Sequence, residues 1–234
     1  MINIKELSLK FPNVTFATEE GHYLIYDGFV RDLRAKEAPT VYHPGEYSGQ
    51  TTARFVVSQH PIYSLEDLFS PPDPREVKEN ERLQRRYTDE WVRFLKNEKL
   101  PVREVEIDSR VNQAVFDALC EQENVESLRI KWLTAKQING VAKLKNLKKL
   151  FLESAASLCD VSPVAALEDL EVLILGQTKK AYDYSSLAAL KKLKVLGICS
   201  YRPSFGTKIP VRDLDFLAEL PSLEYVDLVD VRIK

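Results

Sequence analysis

The sequence predicts an α/β solenoid of about six short parallel strands joined by short convex helices or turns, preceded by a small β-rich unit and a helix. Three observations carry this. The pattern apolar-x-x-apolar-x-apolar recurs six times from Val102 onward. Its first members, Val102, Val125, Leu147, Leu170, Leu193 and Leu223, are spaced 23, 22, 23, 23 and 30 residues apart. Between successive patterns lies a second apolar segment ending in leucine, as in Leu158–Leu167. Self-similarity at a fixed period of this size is the mark of a repeat architecture.

In chain order, residues 1–70 show no repeat. Ile2–Ile4, Leu7–Leu9, Val14–Phe16, Tyr23–Tyr26, Thr40–Tyr42 and Arg54–Val57 read as short strands between polar or Gly/Pro turns, with a short helix at Ser64–Phe69. Residues 71–100 read as a linker and a capping helix. Ser70-Pro71-Pro72-Asp73-Pro74 breaks regular structure. Asp73 caps, Pro74 fits the first turn, and Glu76 follows three after the cap. The helix should run to about Asn97. Tyr87, Trp91, Phe94 and Leu95 share one stripe, expected to cover the open first repeat, because solenoid ends must be covered. Val111–Glu121 reads as the first convex helix.

Residues 101–234 hold the repeats. The last two apolar members of each pattern, such as Leu150 and Leu152, are two apart and face one side of a strand. A four-residue strand cannot bury such a pair alone. Stacking the strands as a parallel ladder makes one continuous core. Ile138–Leu144, Leu158–Leu167, Tyr184–Leu190 and Asp213–Leu220 supply its other wall. The step of 30 places an insertion at Tyr201–Ile209, which carries Pro203 and Gly206 as an exposed loop would.

The 22–23-residue phase, with Asp160-Val161-Ser162-Pro163-Val164 and Leu167 before Leu170, Leu173 and Leu175, resembles the short leucine-rich repeats of bacterial internalins and of eukaryotic phosphatase-regulator proteins. The resemblance covers roughly residues 100–234. It implies a leucine-rich-repeat solenoid whose concave face is lined by the strands. The family pattern has Asn three residues after the last strand leucine. Here those positions hold Leu133, Ala155, Thr178 and Tyr201, so the asparagine ladder is missing.

Composition narrows the function classes. The 234 residues are 44% hydrophobic and 29% charged, as in folded globular chains. Residues 1–100 carry 14 Lys+Arg and 16 Asp+Glu, and residues 101–234 carry 19 of each. Neither half has the basic excess that nucleic-acid binding needs. No stretch is long and apolar enough to cross a membrane, and Met1–Glu6 has no basic region leading into an apolar run. Cys120, Cys159 and Cys199 are few and odd in number, which suits free thiols in a cytoplasmic protein.

Catalytic motifs are scarce. His22, His43 and His60 all lie in the first 70 residues, and neither His-x-x-x-His nor Cys-x-x-Cys occurs. Gly45-Glu46-Tyr47-Ser48-Gly49 has its serine one place off the nucleophile-elbow pattern and reads as a turn. No enzyme, no cofactor and no metal is expected. Lys143, Lys145, Lys148 and Lys149, then Lys191, Lys192 and Lys194, form basic clusters. Glu153, Glu168, Asp169 and Glu171 dilute them, so they read as a solvated face rather than a phosphate stripe.

The informative positions are those alternating with the buried pairs, since they line the concave face. They start acidic at Glu104, Glu106 and Asp108, turn basic at Arg129 and Lys131, become apolar at Phe151, Val172, Ile174 and Val195, and end mixed at Tyr225 and Asp227. Gly176 and Gly197 leave room for close approach. An exposed apolar stripe of this kind marks an interaction site. The alternative is that residues 1–70 fold over it. The expected function is a bacterial, cytoplasmic protein–protein interaction module, with an inhibitor or immunity protein as its specific form. Its partner-binding residues would be Arg129, Lys131, Phe151, Glu153, Val172, Ile174, Val195, Tyr225 and Asp227, with no nucleic acid and no membrane involved. A second reading makes residues 1–70 an enzyme or ligand-binding unit around the histidines, with the solenoid as a targeting arm.

Overall fold

The computed structural model describes residues 3–17, 38–58, 73–200 and 208–233. In chain order these form α1 (Ile4–Lys10), β1 (Thr15–Phe16), β2 (Thr40–Val41), β3 (Thr52–Phe55), α2 (Pro74–Asn97), β4 (Glu104–Val111), α3 (Gln113–Leu119), β5 (Ser127–Leu133) and β6 (Lys149–Leu152). There follow β7 (Val172–Gly176), β8 (Val195–Cys199), β9 (Ile209–Val211), β10 (Tyr225–Asp227) and β11 (Val231–Ile233).

The repeat phase becomes a register. Nine strands form one parallel sheet in the order β1-β10-β8-β7-β6-β5-β4-β3-β2. Equivalent repeat positions stand side by side: Leu128 pairs with Leu150, Leu150 with Leu173, Leu173 with Leu196, and Leu196 with Val226. All six apolar triplets, from Val102 to Leu228, are buried in one continuous core.

The return halves close that core from the convex side. Asn139–Lys143, Ser162–Ala166, Ser185–Ala189 and Asp215–Glu219 are single 3-10 helices, each burying residues such as Val141, Val164, Leu187 and Leu217. With only five residues to fill, the tighter helix suits a short return. The first return is the α-helix α3, where Asn112 accepts from Val115 N at 3.0 Å and Val115, Phe116, Ala118 and Leu119 are buried. Where an asparagine ladder would sit, Leu133, Ala155 and Thr178 are buried instead. The backbone makes its own ladder: Leu133 N donates to Ser154 O, Ala155 N to Gly176 O, and Gln177 N to Cys199 O. Thr178 Oγ1 bonds the Tyr184 hydroxyl at 2.8 Å.

The described residues of the range 1–70, expected to hold a small β-rich unit, contribute to both ends of the same sheet. Thr15 pairs with Tyr225 at the last-repeat end. Ala53 and Phe55 pair with Val105 and Ile107 at the other end, and Val41 pairs with Phe55 beyond them. Leu7–Leu9, expected as a strand, lies in α1. Asn3 caps it by accepting from Glu6 N at 3.4 Å, and Leu7 and Phe11, four apart on one face, pack on the core. Tyr23–Tyr26, Ser64–Phe69 and most of Ser70–Pro74 lie outside the described residues.

Helix α2 begins as its sequence foretells, with Asp73 accepting from Arg75 N at 2.8 Å. Trp91 and Leu95 are buried. The stripe reaches one layer past the first repeat: Trp91 meets Phe55 edge-on with ring centres 4.8 Å apart, and its Nε1 donates to Tyr42 O at 3.3 Å. Buried Gln122 ties the helix end to the first repeat, donating to Leu95 O at 2.6 Å and Glu98 O at 2.8 Å. Of the 201–209 insertion, Ile209 belongs to β9, which pairs with β11 in a separate parallel sheet and buries Ile209 in the core. Residues 201–207 lie outside the described residues. No described helix is long and apolar enough to cross a membrane.

Candidate functional site: the concave face

Side chains alternating with the core pairs fall into rows across the sheet. One row runs Ser127, Lys149, Val172, Val195, Tyr225 and Thr15. The next runs Arg54, Glu106, Arg129, Phe151, Ile174, Gly197 and Asp227. Phe151, Val172, Ile174, Val195 and Cys199 form an apolar cluster of their own, distinct from the core, with Tyr225 and Val229 packed against it. The parallel register therefore brings the expected apolar residues together. They are not exposed: Phe151 is 1% accessible, Ile174 6% and Val195 7%.

Beside the apolar cluster runs a chain of charges. Arg129, 1% accessible, bonds Glu106 through Nη1 and Glu153 through Nε, and its Nη1 reaches Asp108 at 3.1 Å. Arg54 Nη2 lies 3.2 Å from Glu106, and its Nε lies 3.4 Å from Asp108. Buried Arg129 Nη2 and Glu153 Oε2 have no hydrogen-bond partner among the described residues. Arg54 escaped the sequence reading because the first 70 residues carry no repeat phase. The signal was present: Ala53 and Phe55 form the same two-apart apolar pair as Val105 and Ile107.

The remaining expected residues are placed as follows. Lys131 is half-buried, its Nζ 4.7 Å from the centre of the Trp132 ring. Buried Asp227 accepts from Val229 N at 3.0 Å. The Tyr225 hydroxyl is buried without a hydrogen-bond partner among the described residues, and burial, with Asp227 and Cys199 adding, pushes its pKa up to about 12. The two glycines do not leave the room expected of them. A Cβ at Gly176 would sit 2.0 Å from Glu153 O, so the bare Cα admits the neighbouring turn. A Cβ at Gly197 would sit 2.7 Å from Ile174 Cδ1, so that space is already filled.

The nucleophile candidates are in unhelpful settings. Burial pushes the Cys120 and Cys199 thiols well up, and carboxylates add to this, Asp117 at Cys120 and Asp227 at Cys199. Cys159 is exposed on the convex side. His43 caps a 3-10 helix at Pro44–Glu46, its Nδ1 accepting from Gly45 N at 3.2 Å, and its ring stacks on Tyr87 at 6.3 Å. Two clefts of about 310 and 370 Å³ flank it. His22 and His60 lie outside the described residues. No group of three metal-ligating side chains occurs among the described residues. Most of the clustered lysines are paired with acids one repeat earlier: Lys143 with Glu121 at 2.5 Å, Lys148 with Glu126 at 2.9 Å, Lys192 with Asp169 at 2.5 Å, and Lys194 with Glu171 at 2.9 Å. The lysine hydrogen bond is the main cause holding Glu121, Glu126 and Asp169 below their ordinary pKa.

A parallel ladder of equivalent positions at a 22–23-residue phase, with one helical return per strand, decides the fold. The chain is a leucine-rich-repeat solenoid. No protein-family model matches it, and no curated protein does. Among solved structures, the solenoid is similar to internalin C2 from Listeria monocytogenes str. 4b F2365, at 24% identity and a TM-score of 0.48, over 58% of this chain and 56% of that one. It is similar to a second internalin of that organism, inlF, at 17% identity and a TM-score of 0.40, over 60% and 51% of the two chains. The PEPR1-AtPEP1 structure follows at 14% identity and a TM-score of 0.36, over 55% and 22%. The solenoid spans about half the length of the internalin chains it matches.

Proposed function

We propose that the protein is a non-catalytic interaction module whose concave face binds a protein partner, in the manner of an inhibitor or immunity protein acting in the cytoplasm. One observation supports this above the others. The sheet carries a second apolar cluster on the face opposite its core, beside a buried Arg129–Glu153 pair with one donor and one acceptor unused among the described residues. A sheet needs one apolar face to fold, and a second one with polar groups beside it is the makeup of a binding surface. The fitting partner presents an apolar segment toward Ile174 and Val195 and an acceptor toward Arg129 Nη2. Concave faces are where solenoids offer extended surface.

Half-buried Lys149 and Tyr225 flank Val172 and Val195 in one row of the stripe, so they test the reading without placing a charge in a buried position. A partner captured from the native host by wild type should be lost by a Lys149→Glu, Tyr225→Ser variant whose circular dichroism is unchanged. The loss should reproduce with the purified partner. Equal capture by both proteins would move the site off the concave face.

A further inference from the structure

The two rims of the sheet carry their charges differently. At the rim where the strands begin, Arg103, Lys148 and Lys194 each stand one residue before a strand. Each is paired across repeats: Arg103 and Lys148 with Glu126 at 3.5 and 2.9 Å, and Lys194 with Glu171 at 2.9 Å. At the rim where the strands end, Arg110 lies at the end of β4, Lys136 follows β5, and Lys179 and Lys180 follow β7. Their side chains make no ion pair or hydrogen bond among the described residues. Carboxylates close to them in the chain are already held, Asp108 by Arg54 and Arg129, and Asp183 by Arg212. The positive charge of this rim is thus uncompensated, in a chain whose net charge is −2.

A cleft of about 400 Å³ lies on the same rim, lined by Arg110 of β4, Trp132 and Leu133 of β5, and Ser154, Ala156 and Ser157 after β6. Trp132 is 39% accessible, and Lys131 Nζ lies 4.7 Å from the centre of its ring. An aromatic wall with small side chains beside it suits one apolar side chain. Exposed cations around it suit carboxylates. Three strand spacings of ~4.8 Å put β4 ~14 Å from β7. At ~3.3 Å per extended residue, that is the length of about four or five residues.

We propose that this rim is a second binding site, taking an extended acidic peptide segment that sets one apolar side chain in the cleft beside Trp132 and its carboxylates at Arg110, Lys179 and Lys180. The site lies off the apolar stripe of the concave face and does not rest on the function proposed above. A nucleic-acid strand is the poorer fit, because its affinity comes from many phosphates and the unpaired cations here end within about five residues' length.

The test uses the full chain and a blocked pentapeptide, one phenylalanine with two glutamates on either side. Trp91 is fully buried, so acrylamide quenching reports on Trp132. The peptide at millimolar concentration should shield Trp132 from acrylamide, and the same peptide with lysines in place of the glutamates should not. An Arg110→Gln, Lys179→Gln, Lys180→Gln variant breaks no ion pair among the described residues, so its circular dichroism should be unchanged. Its affinity for the glutamate peptide should fall by about tenfold or more, since three modest charge contacts are lost together. No shielding by the glutamate peptide, equal shielding by the lysine peptide, or undiminished affinity of the folded variant overturns the proposal. Stronger shielding by a short oligothymidylate also overturns it, and makes the rim a nucleic-acid surface. If the variant loses its fold, the two peptides on wild type decide. The Lys149→Glu, Tyr225→Ser variant separates this site from the concave face. Shielding lost in that variant would place the peptide on the concave face and overturn the rim site. Shielding kept by a protein that captures no partner would remove the proposed function and leave the rim site standing.

Discussion

Arg129 on β5 and Glu153, the residue after β6, form an ion pair buried on the concave face, with Glu106 of β4 on the other side of the guanidinium. Three successive repeats are thus joined by one side chain. Removing the cation leaves two carboxylates out of water, and such an uncompensated charge is worth about 3–5 kcal/mol. Arg129→Ala should therefore lower the unfolding free energy, read from urea titration at an unchanged slope, by that amount. Arg129→Met with Glu153→Leu should lower it less than Arg129→Ala alone, because only Glu106 remains and Arg54 lies 3.2 Å from it. A double variant less stable than the single one would refute this account.

The two glycines of the stripe should respond differently to the same change. At Gly176 the added methyl meets backbone, Glu153 O at 2.0 Å, which cannot move without shifting the turn of β6. Overpacking of that kind costs about 1–3 kcal/mol or more. At Gly197 the obstacle is the end of a flexible side chain, Ile174 Cδ1. Gly197→Ala should be the milder variant by thermal melting, and equal loss at both sites would contradict the geometry.

The repeats were legible because each triplet must bury two residues two apart, and the phase of those pairs is the register of the sheet. Val125, Leu147 and Leu170 announce their strands for that reason. The additional strands were not legible as part of the ladder. Thr15–Phe16, Thr40–Val41 and Thr52–Phe55 are two to four residues long and follow no fixed spacing, so the sequence reads strands there but only the pairing places them in the ladder. On the concave face the sequence identified which residues align, since alternation along a strand is a local rule. Their burial was beyond reach, because it depends on the tertiary surroundings rather than on alternation along a strand. Gly197 shows the same limit: the neighbour that fills its space, Ile174, is 23 residues away in sequence.

Trp91 anchors the first-repeat end. It is fully buried, with Phe55 and Phe94 edge-on to its ring. Trp91→Ala should cost about 3–5 kcal/mol, as large aromatic truncations in cores do. Trp132, the other tryptophan, is 39% accessible. Acrylamide should then quench the fluorescence of a Trp91→Phe variant more efficiently than that of a Trp132→Phe variant, and the reverse order would place α2 elsewhere.

Tyr184 makes the stability depend on alkaline pH. Burial pushes its phenol up to about 12, and the bond with Thr178 pulls the other way without cancelling this. In the unfolded chain a tyrosine ionises near 10. Between those values the unfolded chain releases a proton that the folded chain keeps, so its contribution is complete below about pH 10 and is lost as pH rises toward 12. A two-unit gap corresponds to at most about 2.7 kcal/mol. Tyr184→Phe removes the ionisable group but leaves Thr178 Oγ1 buried without its partner, a loss of about 1–3 kcal/mol at neutral pH. Urea unfolding at pH 7 and at pH 11 separates the two effects: the variant should be less stable than wild type at pH 7 and should lose less between the two pH values. Parallel losses in both proteins would assign the alkaline sensitivity to other groups.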